Sequence, residues 1–229
     1  MKEGIWKVFD AISPSYDRIN AILSFGQDRR WRQKAAAYLP DKNVDLLDIA
    51  SGTGDQLIAC LESKARIRSA AGIDLSSEML KIAQTKIAQK PYSAKVKLQR
   101  ADALHLPFPP KSFDACTTSF GIRNIPDPLA ALAEMHRVLK PQGRGLILEF
   151  SLPPKPIRPF HLLYLRHILP KIGAFFSKHE SAYRYLNETI ETFPYGEAFC
   201  RWMKEAGFSS IRHIPLSLGA VALYIGDKR

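Results

Sequence analysis

The residues able to do chemistry recur at the ends of apolar runs. Leu46 to Asp55 reads LLDIASGTGD, a buried-strand pattern closing on a Gly-rich turn. Asp48 stands near the end of that run, and Ser51, Gly52, Thr53 and Gly54 form the turn, whose two glycines let the backbone approach a ligand closely. Asp74 ends the second run, 20 residues past Gly54, and Asp102-Ala103 follows the third. A dinucleotide loop would want another glycine three residues after Gly54, where Leu57 stands, and would set a pyrophosphate against Asp55. Acids at three consecutive strand ends suit instead a ligand with a ribose and cationic groups. Taken singly, each is as well explained as a helix cap. S-adenosylmethionine has an ammonium, a sulfonium and no phosphate, so the set fits it. Asp74 would accept the ribose hydroxyls and Asp102 would lie beside the adenine amino group.

Alternating elements must hold those acids. Val44 to Ala50, Ser69 to Asp74, Val96 to Asp102, Phe113 to Phe120 and Leu146 to Phe150 read as strands. Between them, Ser76 caps a helix with Met79, Ile82, Ala83 and Ile87 on one face, and Asp127-Pro128 opens another that Lys140-Pro141 stops. Strands alternating with helices mean βαβ units and right-handed crossovers. A helix over Gly196 to Ala206 and two strand-like runs, SIRHI and AVALYIG, follow. The expected fold is α/β, a doubly wound, mostly parallel seven-stranded sheet of the class I methyltransferase, Rossmann-like kind, in one domain. Within it, 1–43 is an N-terminal helical lid, 44–150 the S-adenosylmethionine-binding core, 151–195 a helical insertion over the acceptor, and 196–229 the closing helix and strands.

Three further stretches resemble one family, the ubiquinone/menaquinone biosynthesis C-methyltransferases: YDRINAILSFGQDRRWR (Tyr16 to Arg32), FGIRNIPDPLAALAEMHRVLKPQG (Phe120 to Gly143) and RYLNETIETFP (Arg184 to Pro194). The resemblance covers nearly the whole chain. Ser51 replaces the family's first loop glycine, Gln142 stands in its KPGG turn, and Leu218-Gly219-Ala220 replaces its late Gly-Gly pair. The resemblance implies Thr53, Asp74, Asp102, Ala103 and Ser119 as cofactor contacts. It implies a lipophilic quinol as acceptor, methylated on a ring carbon: demethylmenaquinol, or the methoxy-benzoquinol precursor of ubiquinone. A ring carbon attacks the sulfonium methyl only when an adjacent hydroxyl loses its proton. Arg123 and Asn124, after the fourth strand, are the expected catalytic pair. Arg123 would stabilise the phenolate or anchor a water, and Asn124 would orient the ring. Tyr16 and Asp17 are expected to meet the substrate as part of a lid.

Lys and Arg total 33 against 22 acids, a net charge of +11, which favours an anionic partner. Nucleic acid is one reading, but SFGIRN stands where a base-N-methylating enzyme carries a Pro-Pro-aromatic motif, and Cys116 lacks the preceding proline of a cytosine-C5 enzyme. A phenol or sterol methyltransferase is the nearer rival. No acid lies between Glu149 and Glu180, whereas Lys155, Arg158, Arg166, Lys171 and Lys178 interleave there with aliphatic and aromatic residues. That pattern suits transient docking on an anionic membrane surface. Lys7 and Asp10 interrupt any leader-like run and no run reaches a membrane span, so a cytoplasmic protein, peripheral on the inner face of the membrane, is expected. Cys60, Cys116 and Cys200 lie far apart, and no metal-ligand spacing appears. His105, His136 and His213 have no catalytic partner in the sequence, and Trp31 among Arg29, Arg30, Arg32 and Lys34 reads equally as a binding face or a solvated helix. Assembly into a homo-oligomer is compatible with all of this.

Overall fold

The structure, a computed structural model, describes residues 4–168 and 187–229. Its sheet is the expected one. Seven strands, β1 (Asn43–Ile49), β2 (Arg66–Asp74), β3 (Val96–Arg100), β4 (Phe113–Ser119), β5 (Leu139–Phe150), β6 (Ser209–Leu216) and β7 (Val221–Asp227), lie in the order β3-β2-β1-β4-β5-β7-β6. β7 runs antiparallel between β5 and β6, and the other pairings are parallel. The strand order reverses between β1 and β4, and a crevice opens there at the carboxyl ends.

Alternation sends side chains to both faces. Leu46 joins one buried cluster with Leu57, Val221 and Leu223, while Leu47 joins the other with Leu132, Met135 and Phe199. The central strands β4 and β7 are therefore buried almost end to end, as a sheet covered on both faces requires, whereas β3 and β6 at the edges are not. The covering helices include α3 (Asp55–Leu61), α4 (Ser77–Ala88), α5 (Pro128–Val138) and, counted here as α7, Glu197–Glu205. Ser76 Oγ accepts from the Met79 amide and Asp127 from the Ala130 amide, so both expected caps form. Several boundaries differ from the sequence reading. β2 begins at Arg66, and β3 ends at Arg100, leaving Asp102 in the following loop. β5 starts at Leu139, because the register shifts and leaves Pro141, which has no N–H to donate, outside the β4 ladder.

Two helices, α1 (Ile5–Leu23) and α2 (Gln27–Ala36), lie over the crevice. Asp10 of α1 accepts from Ser76 Oγ and from the Glu78 amide at 3.3 Å. Asp17 accepts from Thr53 Oγ1 at 2.5 Å and pairs with Lys86 at 2.6 Å. These contacts latch the helix to the loop after β1 and to α4. After β5, α6 (Arg158–Leu163) continues into a π-helical turn, Tyr164–Ile168, and 187–192 is helical. No described helix is long and apolar enough to cross a membrane.

Candidate active site

The turn after β1 folds back over the sheet, with Ala50, Gly52 and Gly54 at positive φ. At Gly54 a Cβ would lie 3.1 Å from that of Ala83, so this close approach of turn to α4 leaves little room for a side chain. The Gly52 and Ser76 amides each donate at 2.8 Å to one oxygen of Asp74. A carboxylate has about four acceptor positions and the Leu75 amide also bears on this one, so it keeps a position free for a ribose hydroxyl. Burial raises the Asp74 pKa, and the amides of Ser76 and Gly52 oppose that rise. Asp102 accepts from the Leu104 amide at 2.9 Å, and Ser119 donates to Gln56 Oε1 at 2.8 Å.

These groups line a cleft of about 360 Å³ with Trp6 at its edge. Of the residues expected on the ligand, Ser51, Gly52, Thr53, Asp74, Asp102, Ala103 and Ser119 line it. Two do not. Gly54 turns toward Ala83. Asp48 lies beneath the loop, buried in register with Thr117, whose hydroxyl donates to it at 2.6 Å. Burial pushes the Asp48 pKa up to about 6, and its second oxygen has no partner. Asp48 supports the sheet end rather than meeting a ligand. The charge of Asp55, which lines the cleft, is met by Lys86 at 2.6 Å.

A second cavity of about 380 Å³ adjoins the first and is mostly apolar, walled by Ile12, Ile19, Trp31, Phe150, Leu165 and Ile190 among others. Phe9, Tyr16, Arg32, Phe120 and Asn124 border both cavities and form the seam between them. Tyr16, expected to meet the substrate, lines both. Burial raises its pKa, offset in part by the charges of Arg32 and then Arg123. Asp17, expected with Tyr16 at the substrate, faces Thr53 and Lys86 and lines neither of these two cavities. Asn124 Oδ1 is buried at the seam without a partner.

Arg123 lines the apolar cavity, but its Nη1 is held by Glu149 and by the Phe120 carbonyl, each at 2.7 Å. The guanidinium also stacks 5.0 Å from the Phe150 ring centre, and its Nε is buried with no hydrogen-bond partner among the described residues. The guanidinium expected to stabilise the phenolate or anchor a water is thus already paired with Glu149. Sequence reasoning missed Glu149; an acid inside the apolar run GLILEF was the available signal. It also missed Arg32 and His161. His161 lines the apolar cavity with Nε2 buried and unpartnered, and burial lowers its pKa.

The switch-point cleft, the carboxylates ringing it and the doubly wound sheet define a class I methyltransferase. An S-adenosylmethionine-dependent methyltransferase from Thermotoga maritima shares this fold, with TM-score 0.68 at 19% identity over 98% of this chain and 100% of that one. The ubiE/COQ5 methyltransferase family matches residues 1–228, and the chain belongs to that family. Among similar proteins, a ubiquinone/menaquinone biosynthesis C-methyltransferase of Citrifermentans bemidjiense is 40% identical over 228 residues, 99% of this chain and 97% of its own. A demethylmenaquinone methyltransferase of Thermus thermophilus is 42% identical over 223 residues, 96% and 100% of the two chains. The residues present fit S-adenosylmethionine. The cleft is within the ordinary range for a ligand of that size, Asp74 retains a free acceptor position, and Asp55 stands in the first turn of α3 where a phosphate would otherwise be received.

Proposed function

We propose that this protein transfers a methyl group from S-adenosylmethionine to a ring carbon of a polyprenylated hydroquinone, demethylmenaquinol in the first place. The observation that carries this is the paired cavity: a polar cleft with strand-end acids opens, through five shared residues, into an apolar pocket of similar volume. A phenolic ring at the seam would leave its hydrocarbon substituent in the apolar half. The names of the relatives point the same way.

When bound, S-adenosylmethionine supplies a methyl group on a sulfonium. The chain's part is to hold the acceptor ring in line, exclude water and favour loss of the ring hydroxyl proton. Asp74 and Asp102 would bind the nucleoside, with Ser51, Gly52, Thr53, Ala103 and Ser119 shaping its cleft. Asn124 Oδ1 would accept from the hydroxyl and orient the ring. Arg123, fixed by Glu149, would offer its Nε–H there. α1, latched through Asp10 and Asp17, would close the site. The test is incubation with S-adenosylmethionine and demethylmenaquinol, reading products by mass spectrometry. A gain of one methyl on a ring carbon is expected. Turnover of the methoxy-benzoquinol alone would move the assignment to the ubiquinone branch, and turnover of neither would refute it.

Such a substrate lies in the bilayer, so the protein would dock there. Phe25, 78% exposed, borders the apolar pocket with its ring 6.1 Å from that of Tyr164. Leu218, also exposed, is flanked by the pocket residues Ser217 and Ala220, and Phe160 and Leu163 project from α6. Lys155 and Arg158 accompany them, while Arg166 pairs with Glu191 and Leu165 faces inward. Lys171 and Lys178 lie outside the described residues. Vesicle co-sedimentation should rise with anionic lipid and fall with salt, and Phe25→Ser with Leu218→Ser should weaken it. Indifference to anionic vesicles at low salt would refute docking.

A further inference from the structure

Helix α2 carries four cations, and Arg29, Arg30 and Lys34 are exposed. Arg32 is 8% exposed and turns inward to the seam. Its guanidinium carbon lies 5.2 Å from the Phe120 ring centre. Among the described residues no carboxylate reaches it within ion-pair distance, no side-chain hydrogen bond engages it, and its Nε is buried without a partner. Tyr16 of α1, Asp48 of β1 and Cys60 of α3 feel its charge, and none of them contacts it. Arginine does not shed its proton, so the fold keeps a buried positive charge with the Asp48 carboxylate near enough to feel it but no carboxylate in direct contact among the described residues. Arg123, the other guanidinium close to the seam, has its counter-ion at 2.7 Å.

We propose that Arg32 receives an anionic oxygen that arrives with a ligand at the seam. Stacking on Phe120 occupies one face of the guanidinium and leaves its edge for an in-plane oxygen, the arrangement arginine offers carboxylates and other oxyanions. Two sources bring such an oxygen: the carboxylate of the donor's amino-acid end, and the acceptor's ring oxygen once its proton has gone. Either way the ligand would bring Arg32 the direct anionic partner that the described residues do not supply. This rests on the reading of the two cavities given above.

The test uses the full chain with Arg32→Met and Arg32→Lys. Calorimetry measures binding of S-adenosylhomocysteine and of its decarboxylated analogue, turnover is followed against pH, and melting is recorded without ligand. Ligand-free Arg32→Met should melt at or above the parent temperature, because an unpaired buried charge has been removed. If the oxygen is the donor's, affinity for S-adenosylhomocysteine falls about 10- to 150-fold, the range for one lost charged hydrogen bond, and the decarboxylated analogue binds as before. If it is the acceptor's, both nucleosides bind as before, kcat falls by a similar factor and its acid limb moves to higher pH. Arg32→Lys should recover part of either loss. A folded Arg32→Met that matches the parent in both affinities, kcat and pH profile overturns the proposal, as does one that melts markedly lower with all parameters falling together. A parent that fails to bind S-adenosylhomocysteine overturns the reading of the cleft along with it.

Discussion

Removing the Glu149 carboxylate should be among the most damaging single changes available outside the apolar core. Glu149 is 1% exposed and Arg123 5%, and their 2.7 Å contact is reinforced by the Phe150 amide, which donates to the same oxygen at 2.8 Å. Glu149→Leu leaves the guanidinium charge buried with only the Phe120 carbonyl and the Phe150 ring to stabilise it. Breaking one side of a buried ion pair costs about 3–5 kcal/mol. For a chain of 229 residues each kcal/mol lowers Tm by about 2–4 °C, so the drop should be about 6–20 °C. Arg123→Met should cost a comparable amount, since it strands the carboxylate. The double variant Arg123→Met/Glu149→Leu strands neither, and apolar replacements of such pairs are often neutral. Urea titration at pH 7 of parent, singles and double forms the cycle. A pair held this closely should show a coupling of at least about 2 kcal/mol favouring the double over the sum of the singles. Strict additivity, or singles each costing under about 1 kcal/mol, would mean that the charges are not held as described. Activity supplies an independent reading: Glu149→Leu should depress kcat more than donor affinity, because the displaced group is Arg123 beside the acceptor.

Asp74→Ala should weaken S-adenosylhomocysteine binding about 10-fold or more by calorimetry, since it removes the free acceptor position and strands the Gly52 and Ser76 amides; unchanged affinity in a folded variant would remove Asp74 from the site. Burial holds the folded pKa of Asp48 at about 6 against an ordinary 3.8, so its contribution to stability is complete below about pH 4 and is lost as pH rises through 6. Asp48→Asn should flatten the stability curve across that window and be no less stable than the parent at pH 7, as chemical denaturation across pH would show. Asp17→Ala should loosen α1 by freeing Thr53 and Lys86, speeding donor dissociation several-fold in stopped flow with Trp6 fluorescence as the signal; an unchanged rate would mean that the latch does not govern exchange.

Much of the sheet and its caps could be read from the chain because they rest on local physics. Val44 to Ala50 carries apolar residues in both side-chain registers, Leu46 and Leu47 side by side, because β1 is covered on both faces, and Ser76 and Asp127 signal helix starts because their side chains satisfy amides three residues away. Strand-end acids marked the crevice, since parallel strands carry their carboxyl ends to one edge. Which acid faces a ligand was not local. Asp48 and Asp74 look alike in sequence, but pairing opposite Thr117 buries the first, and the returning loop wraps its amides around the second. Nor was it local which of the α2 arginines turns inward. Arg29, Arg30 and Arg32 are equivalent in composition, and only the docking of the helix against Phe120 and Tyr16 selects Arg32. Glu149 meets Arg123 across 26 residues because β5 lies beside β4. Charges can thus be counted in a sequence, whereas which of them leave water, and which meet, is settled only when elements distant in the chain are packed together.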